Sequence, residues 1–178
     1  MSFRKSLLVC AAVAGTWAAA MLSASAQTSG IGSDEFTRLA WRGTDNSVDL
    51  WQFFPPSSGF GFYNSHAYGP YTNWTPVGIT TLNNNDTYVL WQNYDGTVAV
   101  WKVDTFLNFI TSRTYGPYSG WTAKGISADT TNGNQFGIIW KANDGSVSVW
   151  RVDQNLNFVG GHVQAGRFGW DPAFTSNY

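Results

Sequence analysis

The sequence is poor in cysteine, in charge and in long apolar runs. Its single cysteine, Cys10, lies within the first 26 residues. Loss of that segment would leave no thiol, which excludes disulfides, cysteine nucleophiles and cysteine metal ligands from the rest. Charged residues make up 12% of the 178, and ten Lys/Arg against eleven Asp/Glu leave a formal net charge of −1 at pH 7. That balance lacks the basic face by which nucleic acid or an anionic membrane surface is held. Past residue 26 no apolar stretch is long enough to span a bilayer. Aromatic residues are abundant instead, at 17% with ten Trp, and so much apolar surface excludes a disordered chain.

Arg4 and Lys5 precede an apolar run from Ser6 to Leu22, and Ala24-Ser25-Ala26 supplies the small-residue site of a signal peptidase. We expect residues 1–26 to be a signal peptide cleaved before Gln27, which implies a secreted or periplasmic protein. Residues 27–33 then form a short linker, and 34–178 a three-repeat β domain. The repeats run over about 34–80, 81–127 and 128–178.

The repeats are set by tryptophan. Trp41/Trp51/Trp74, Trp91/Trp101/Trp121 and Trp140/Trp150/Trp170 recur with the first two always ten apart, and the third 23, 20 and 20 further on. Asp45-Asn46, Asp95-Gly96 and Asp144-Gly145 fall between the first two Trp of each set. Such pairs predict two-residue type I′ hairpins, whose central positions need positive φ. Tyr68-Gly69-Pro70-Tyr71 and Tyr115-Gly116-Pro117-Tyr118 precede the third Trp, whereas the last copy has Gln164-Ala165-Gly166-Arg167 there. A period of 47 to 50 residues marks a repeat architecture.

Each copy predicts four short strands, the fourth running from the third Trp through Val77-Gly78-Ile79, Lys124-Gly125-Ile126, or Arg167 to Phe174. Val98/Val100 against Ala99/Trp101 makes a strand apolar on both faces, so each sheet is expected between neighbours rather than against water. The expected fold class is all-β: three four-stranded antiparallel repeats resembling β-propeller blades, which two chains would close as a six-bladed ring. The alternative is a single-chain β-trefoil or β-prism.

Paired Trp, an Asp-Gly hairpin and this repeat length resemble the blades of tachylectin-like and fucose-lectin-like β-propellers. The Tyr-Gly-Pro-Tyr…Gly-Trp-Thr stretch resembles tandem repeats of exported bacterial proteins. The resemblance covers about residues 35–178 and implies a fold more than an activity.

No G-x-S-x-G elbow, phosphate loop or His-Glu-x-x-His pair is present. The aspartates sit in turns, where carboxylates bind nearby backbone amides. Asn83-Asn84-Asn85-Asp86 is oxygen-rich but reads as a polar loop, and no metal or cofactor is expected. Trp41, Trp91, Trp140, Trp51, Trp101 and Trp150 are expected in the core. The candidate ligand-binding residues are Trp74, Trp121 and Trp170 after the corners, with Tyr68, Tyr71, Tyr115 and Tyr118 beside them. His66, Arg113 and His162 join them, because each lies eight residues before a third Trp. An exposed indole offers a flat apolar face to the C–H side of a sugar, and Tyr and Arg supply directional hydrogen bonds. These features predict a secreted, non-catalytic carbohydrate-binding protein with weak equivalent sites, its partners glycans and a second copy of itself. The alternatives are a structural or protein-interaction module of the cell envelope and, third, a glycoside hydrolase.

Overall fold

A computed structural model of the chain describes residues 32–166, 169, 171 and 172. The expected signal peptide, Trp170 and most of the expected final strand from Arg167 to Phe174 lie outside the described residues. Eleven strands follow one another: β1 (Thr37–Arg42), β2 (Val48–Phe53), β3 (Phe62–Tyr68), β4 (Trp74–Thr81), β5 (Thr87–Asn93), β6 (Val98–Val103), β7 (Phe109–Tyr115), β8 (Trp121–Ala128), β9 (Gln135–Ala142), β10 (Val147–Asp153) and β11 (Phe158–Gln164). They form three antiparallel sheets in the orders β1-β2-β3, β4-β5-β6-β7 and β8-β9-β10-β11, called here sheets I, II and III. Among the described residues the helical content is one 3-10 turn at Pro56–Ser58. Among the described residues no helix is long and apolar enough to cross a membrane.

The fold class is all-β with blade-like repeats, and it differs from the sequence expectation in two respects. The strand after each corner belongs to the next sheet: β4 pairs with β5, and β8 with β9. A Gly-Pro corner therefore carries the chain out of one sheet and starts the following one, so hydrogen bonding runs one strand out of phase with the text. For the same reason sheet I has three described strands instead of four.

The second difference is in the hairpins. Gly96 N–H donates to Asn93 O at 3.2 Å and Asn93 N–H to Thr97 O at 2.7 Å, which closes a three-residue loop over Tyr94-Asp95-Gly96. Only Gly96, at φ +90°, is left-handed there, the geometry of a type I turn followed by a G1 bulge rather than type I′. Asp95 is not left-handed, and its Oδ1 accepts the Thr97 amide at 2.7 Å. Asp45 and Asp144 do the same for Ser47 and Ser146. These bonds hold both exposed carboxyls below the usual carboxylate range, led at Asp45 by the Ser47 hydroxyl and at Asp144 by the Ser146 amide. In the loop at 83–86, the Asn84 side chain accepts the Asp86 amide at 3.1 Å, and Asp86 pairs with Lys102 at 2.9 Å.

The sheets stack in a row. Val48 and Leu50 of sheet I meet Ile79, Val89, Trp91, Ala99, Val103 and Leu107 of sheet II and its hairpin. The opposite face of sheet II, through Tyr88, Leu90, Val98 and Val100, meets Ala123, Ile126, Phe136, Ile138, Trp140 and Val152 of sheet III. No core cluster among the described residues joins sheet I to sheet III, so the sheets do not close on one another as a trefoil or prism would. Sheet II is apolar on both sides because it is the middle layer.

Candidate functional site

Each Gly-Pro corner ties one sheet to the next through its two tyrosines. The first tyrosine reaches a hairpin of the following sheet: the Tyr68 hydroxyl donates to Leu107 O, and Tyr115 to Leu156 O at 2.6 Å. The second stands edge-on to a tryptophan pair. Tyr71 lies 5.7 Å from Trp91 and 5.1 Å from Trp101, and Tyr118 lies 5.6 Å from Trp140 and 5.1 Å from Trp150. Within each pair the two indoles are 4.9 Å apart. They come from neighbouring strands, and in that register Trp91 faces Ala99 while Trp101 faces Val89. The two rings are thus diagonal neighbours on one face.

Two equivalent cavities result. One, of about 180 Å³, is lined by Tyr71, Trp74, Trp91, Ala99 and Trp101, with Ser112 and Thr114 at its side. The other, of about 200 Å³, is lined by Tyr118, Trp121, Trp140, Ser148, Trp150 and Val163. Position by position these are the same site in sheets II and III. Three indoles and a phenol make the wall, with one or two hydroxyls as its polar groups. Among the described residues no carboxylate, imidazole or ammonium lines either cavity. The Nε1–H groups of Trp91 and Trp140 are buried without a hydrogen-bond partner, the same unpaired donor in both copies. Among the described residues no three His, Cys, Asp or Glu gather as a metal site.

The structure therefore brings Tyr71 with Trp74 and Tyr118 with Trp121, and sets the other candidates elsewhere. Tyr68 and Tyr115 sit behind the cavities as bridges between sheets. His66 stacks on Tyr68 at 4.4 Å. Arg113 donates to Leu156 O at 3.2 Å and to Asn157 Oδ1 at 2.6 Å, which fastens sheet II to a hairpin of sheet III. His162 is exposed on β11, where its backbone oxygen accepts the Ser148 hydroxyl. The rings that sequence reasoning assigned to the core, Trp91, Trp101, Trp140 and Trp150, also form cavity wall. Their constant ten-residue spacing is the signal that could have placed them together.

Burial pushes the Tyr68 phenol up to about 12, with the Asp104 charge adding to the effect, and burial also raises Tyr88 and Tyr115. A raised folded value means that the stabilisation is complete below the unfolded value of about 10 and is lost as pH rises through about 12. A phenolate absorbance titration should accordingly show a late-ionising group of tyrosines whose ionisation coincides with unfolding. A single reversible transition near the free-tyrosine value, with near-ultraviolet circular dichroism retained, would contradict their burial.

Comparison with known proteins supports the tryptophan-rich repeat. Residues 63–120 match the family described as the tryptophan-rich Synechocystis species C-terminal domain, a span that starts in β3 and covers both Tyr-Gly-Pro-Tyr corners and all of sheet II. No curated protein matches the sequence. Among solved structures, a protein of unknown function from Bacteroides caccae is similar at 6% identity and a TM-score of 0.46, over 78% of this chain and 46% of that one. An uncharacterised protein from Listeria monocytogenes EGD-e is similar at 9% identity and a TM-score of 0.42, over 75% of this chain and 42% of that one. The chain spans less than half the length of either.

Proposed function

We propose that the protein is a secreted, non-catalytic carbohydrate-binding protein whose weak, equivalent sites are the two aromatic cavities. The observation that carries this reading is the repetition of one cavity in sheets II and III, with ring for ring in the same place. Core packing alone needs no such hollow, since interiors are filled to the density of organic crystals. Each cavity has room for one sugar ring, whose C–H face lies on an indole while its hydroxyls meet Ser112 and Thr114, or Ser148. Sites built this way are individually weak, and linking them raises avidity by about 10²–10⁴-fold without any new contact. The resemblance of the repeats to tachylectin-like and fucose-lectin-like propellers points the same way, as do the apolar leader and its Ala-Ser-Ala ending.

A glycan array is the test. Binding to a defined set of glycans is expected. Trp74→Ala together with Trp121→Ala should weaken it at least about 30-fold, equivalent to about 2 kcal/mol. Because both rings are partly exposed, each single change should cost only about 1–2 kcal/mol of stability. No retention of any glycan at high protein concentration would discard the reading.

A second reading, a structural or protein-interaction module of the envelope, is favoured by one feature. Phe54, Phe60, Phe62 and Tyr63 are all exposed around the Pro-Pro insertion of sheet I. They form a patch in which Phe60 stacks on Phe53 at 5.9 Å and Phe54 meets Tyr63 at 4.8 Å. Exposed aromatic patches of this kind mark contact surfaces.

A further inference from the structure

The two cavities repeat their rings but not their hydroxyls. In sheet II, Ala99 faces Thr114 and Trp101 faces Ser112. In sheet III the same register sets Ser148 opposite Val163 and Trp150 opposite Gly161. Thr114 is thus replaced by Val163, Ser112 by Gly161 and Ala99 by Ser148, so no hydroxyl keeps its place from one cavity to the other. The Ser148 hydroxyl already donates to His162 O at 3.1 Å, which commits its proton.

The aromatic walls, by contrast, agree closely. Tyr71 stands at 88° to Trp91 and 77° to Trp101, and Tyr118 at 90° to Trp140 and 79° to Trp150. The paired indoles are inclined to each other by 43° in one cavity and 50° in the other. Trp91 and Trp140 are buried, whereas Trp74, Trp101, Trp121 and Trp150 are half-buried and open towards solvent. The exposed ring of each pair is also braced from the outer strand, Trp101 by Phe109 at 5.3 Å and Trp150 by Phe158 at 5.0 Å. The walls are therefore fixed before any ligand arrives, which lowers the ordering cost of binding.

A group held alike in both cavities has to be recognised by ring faces and not by fixed hydrogen bonds. A quaternary ammonium group has that character. It has no N–H to satisfy, its charge is spread over methyl groups, and ring faces carry the negative end of the aromatic quadrupole, with indole the strongest partner. A primary ammonium carries three donors and needs acceptors for them. A neutral hydrocarbon would be held as well by aliphatic walls, yet all four ring positions are aromatic in both copies. We propose that both cavities are aromatic cages for a quaternary ammonium group of the choline type. This rests on the reading of the two cavities as binding sites and names the group they take. A choline substituent on a glycan and the headgroup of a choline lipid present the same chemistry.

Isothermal titration of the full chain with choline chloride, at constant ionic strength, should give two sites per chain with dissociation constants within about fivefold of each other. Ethanolamine, and dimethylbutanol as the carbon isostere without the charge, should each bind at least about tenfold more weakly. Trp74→Leu should remove one site and Trp121→Leu the other, and the site that survives in each variant shows that the chain is folded. Phosphocholine-bearing glycans on an array, against phosphatidylcholine vesicles, identify the carrier, and free choline should displace the protein from whichever retains it. Absence of choline binding, binding of the neutral isostere as tight as that of choline, or two affinities further apart than fivefold would each overturn the proposal. Glycans retained but not displaced by choline would overturn it and leave the carbohydrate reading standing. Two choline sites with no glycan retained would discard that reading and leave the cage.

Discussion

Replacing Trp140 with alanine is expected to lower the unfolding free energy by about 3–5 kcal/mol, the loss seen when a large buried aromatic is truncated. Trp140 is 1% exposed in the core between sheets II and III. It is touched by Trp150 at 4.9 Å and by the inserted Tyr118 at 5.6 Å. Neither neighbour can collapse into the space it leaves, because Trp150 is fixed in β10 and Tyr118 is fastened at its backbone, where its amide donates to Gly96 O at 3.2 Å. Set against total stabilities of about 5–15 kcal/mol, such a loss brings the domain close to its limit. Trp91→Ala, at the matching position, should cost the same to within about 1 kcal/mol, since the two environments repeat ring for ring. Urea unfolding followed by fluorescence measures both. A loss below about 1.5 kcal/mol at Trp140 would mean that the ring serves as cavity wall and not as core.

The second large effect lies in a hairpin. Leu107 and Leu156 are buried, and both are left-handed, at φ +67° and +64°. Leucine pays about 1–2 kcal/mol for that backbone conformation. Here the conformation is imposed by the turn, in which Leu107 N–H donates to Asp104 O at 3.0 Å while Asp104 Oδ1 accepts the Asn108 amide at 2.8 Å. In return the side chain plugs the core between sheets I and II, and the carbonyl accepts the Tyr68 hydroxyl. Leu107→Ala should cost about 2–5 kcal/mol. Leu107→Gly should be no worse, although glycine inside an ordinary strand is less stable than alanine by about 0.5–1 kcal/mol. The order of the two variants is the discriminating measurement. A glycine variant less stable than the alanine variant by about 0.5 kcal/mol or more would show that the backbone carries no such strain.

The tryptophan spacing makes three sheets legible without coordinates, because a residue ten places along crosses one hairpin and returns as a diagonal neighbour. What cannot be read from it is which sheet owns the strand after each corner. The repeat of the text has no phase of its own, whereas hydrogen bonding does, and β4 and β8 bond forward. The Asp-Gly pairs admit two hairpin geometries, and the choice between them falls to a carboxylate that caps the amide two residues on. Apolar alternation sorts Trp91 and Trp140 into the core and Trp74 and Trp121 onto corners. It cannot show that one ring is buried on one side and lines a hollow on the other, which depends on where Tyr71 and Tyr118 insert. Equivalence of position likewise grouped His66, Arg113 and His162. Yet β3, β7 and β11 meet different surroundings, so the three side chains end in a ring stack, a hairpin clamp and solvent.

The row of sheets also bears on how the molecule is assembled. Because each sheet rests on the one before it, a ribosome can release the polypeptide in instalments, and every instalment finds its support already standing. Almost nothing has to wait for a remote stretch of chain. The outer edge of β1 is the exception: among the described residues no later strand pairs with it.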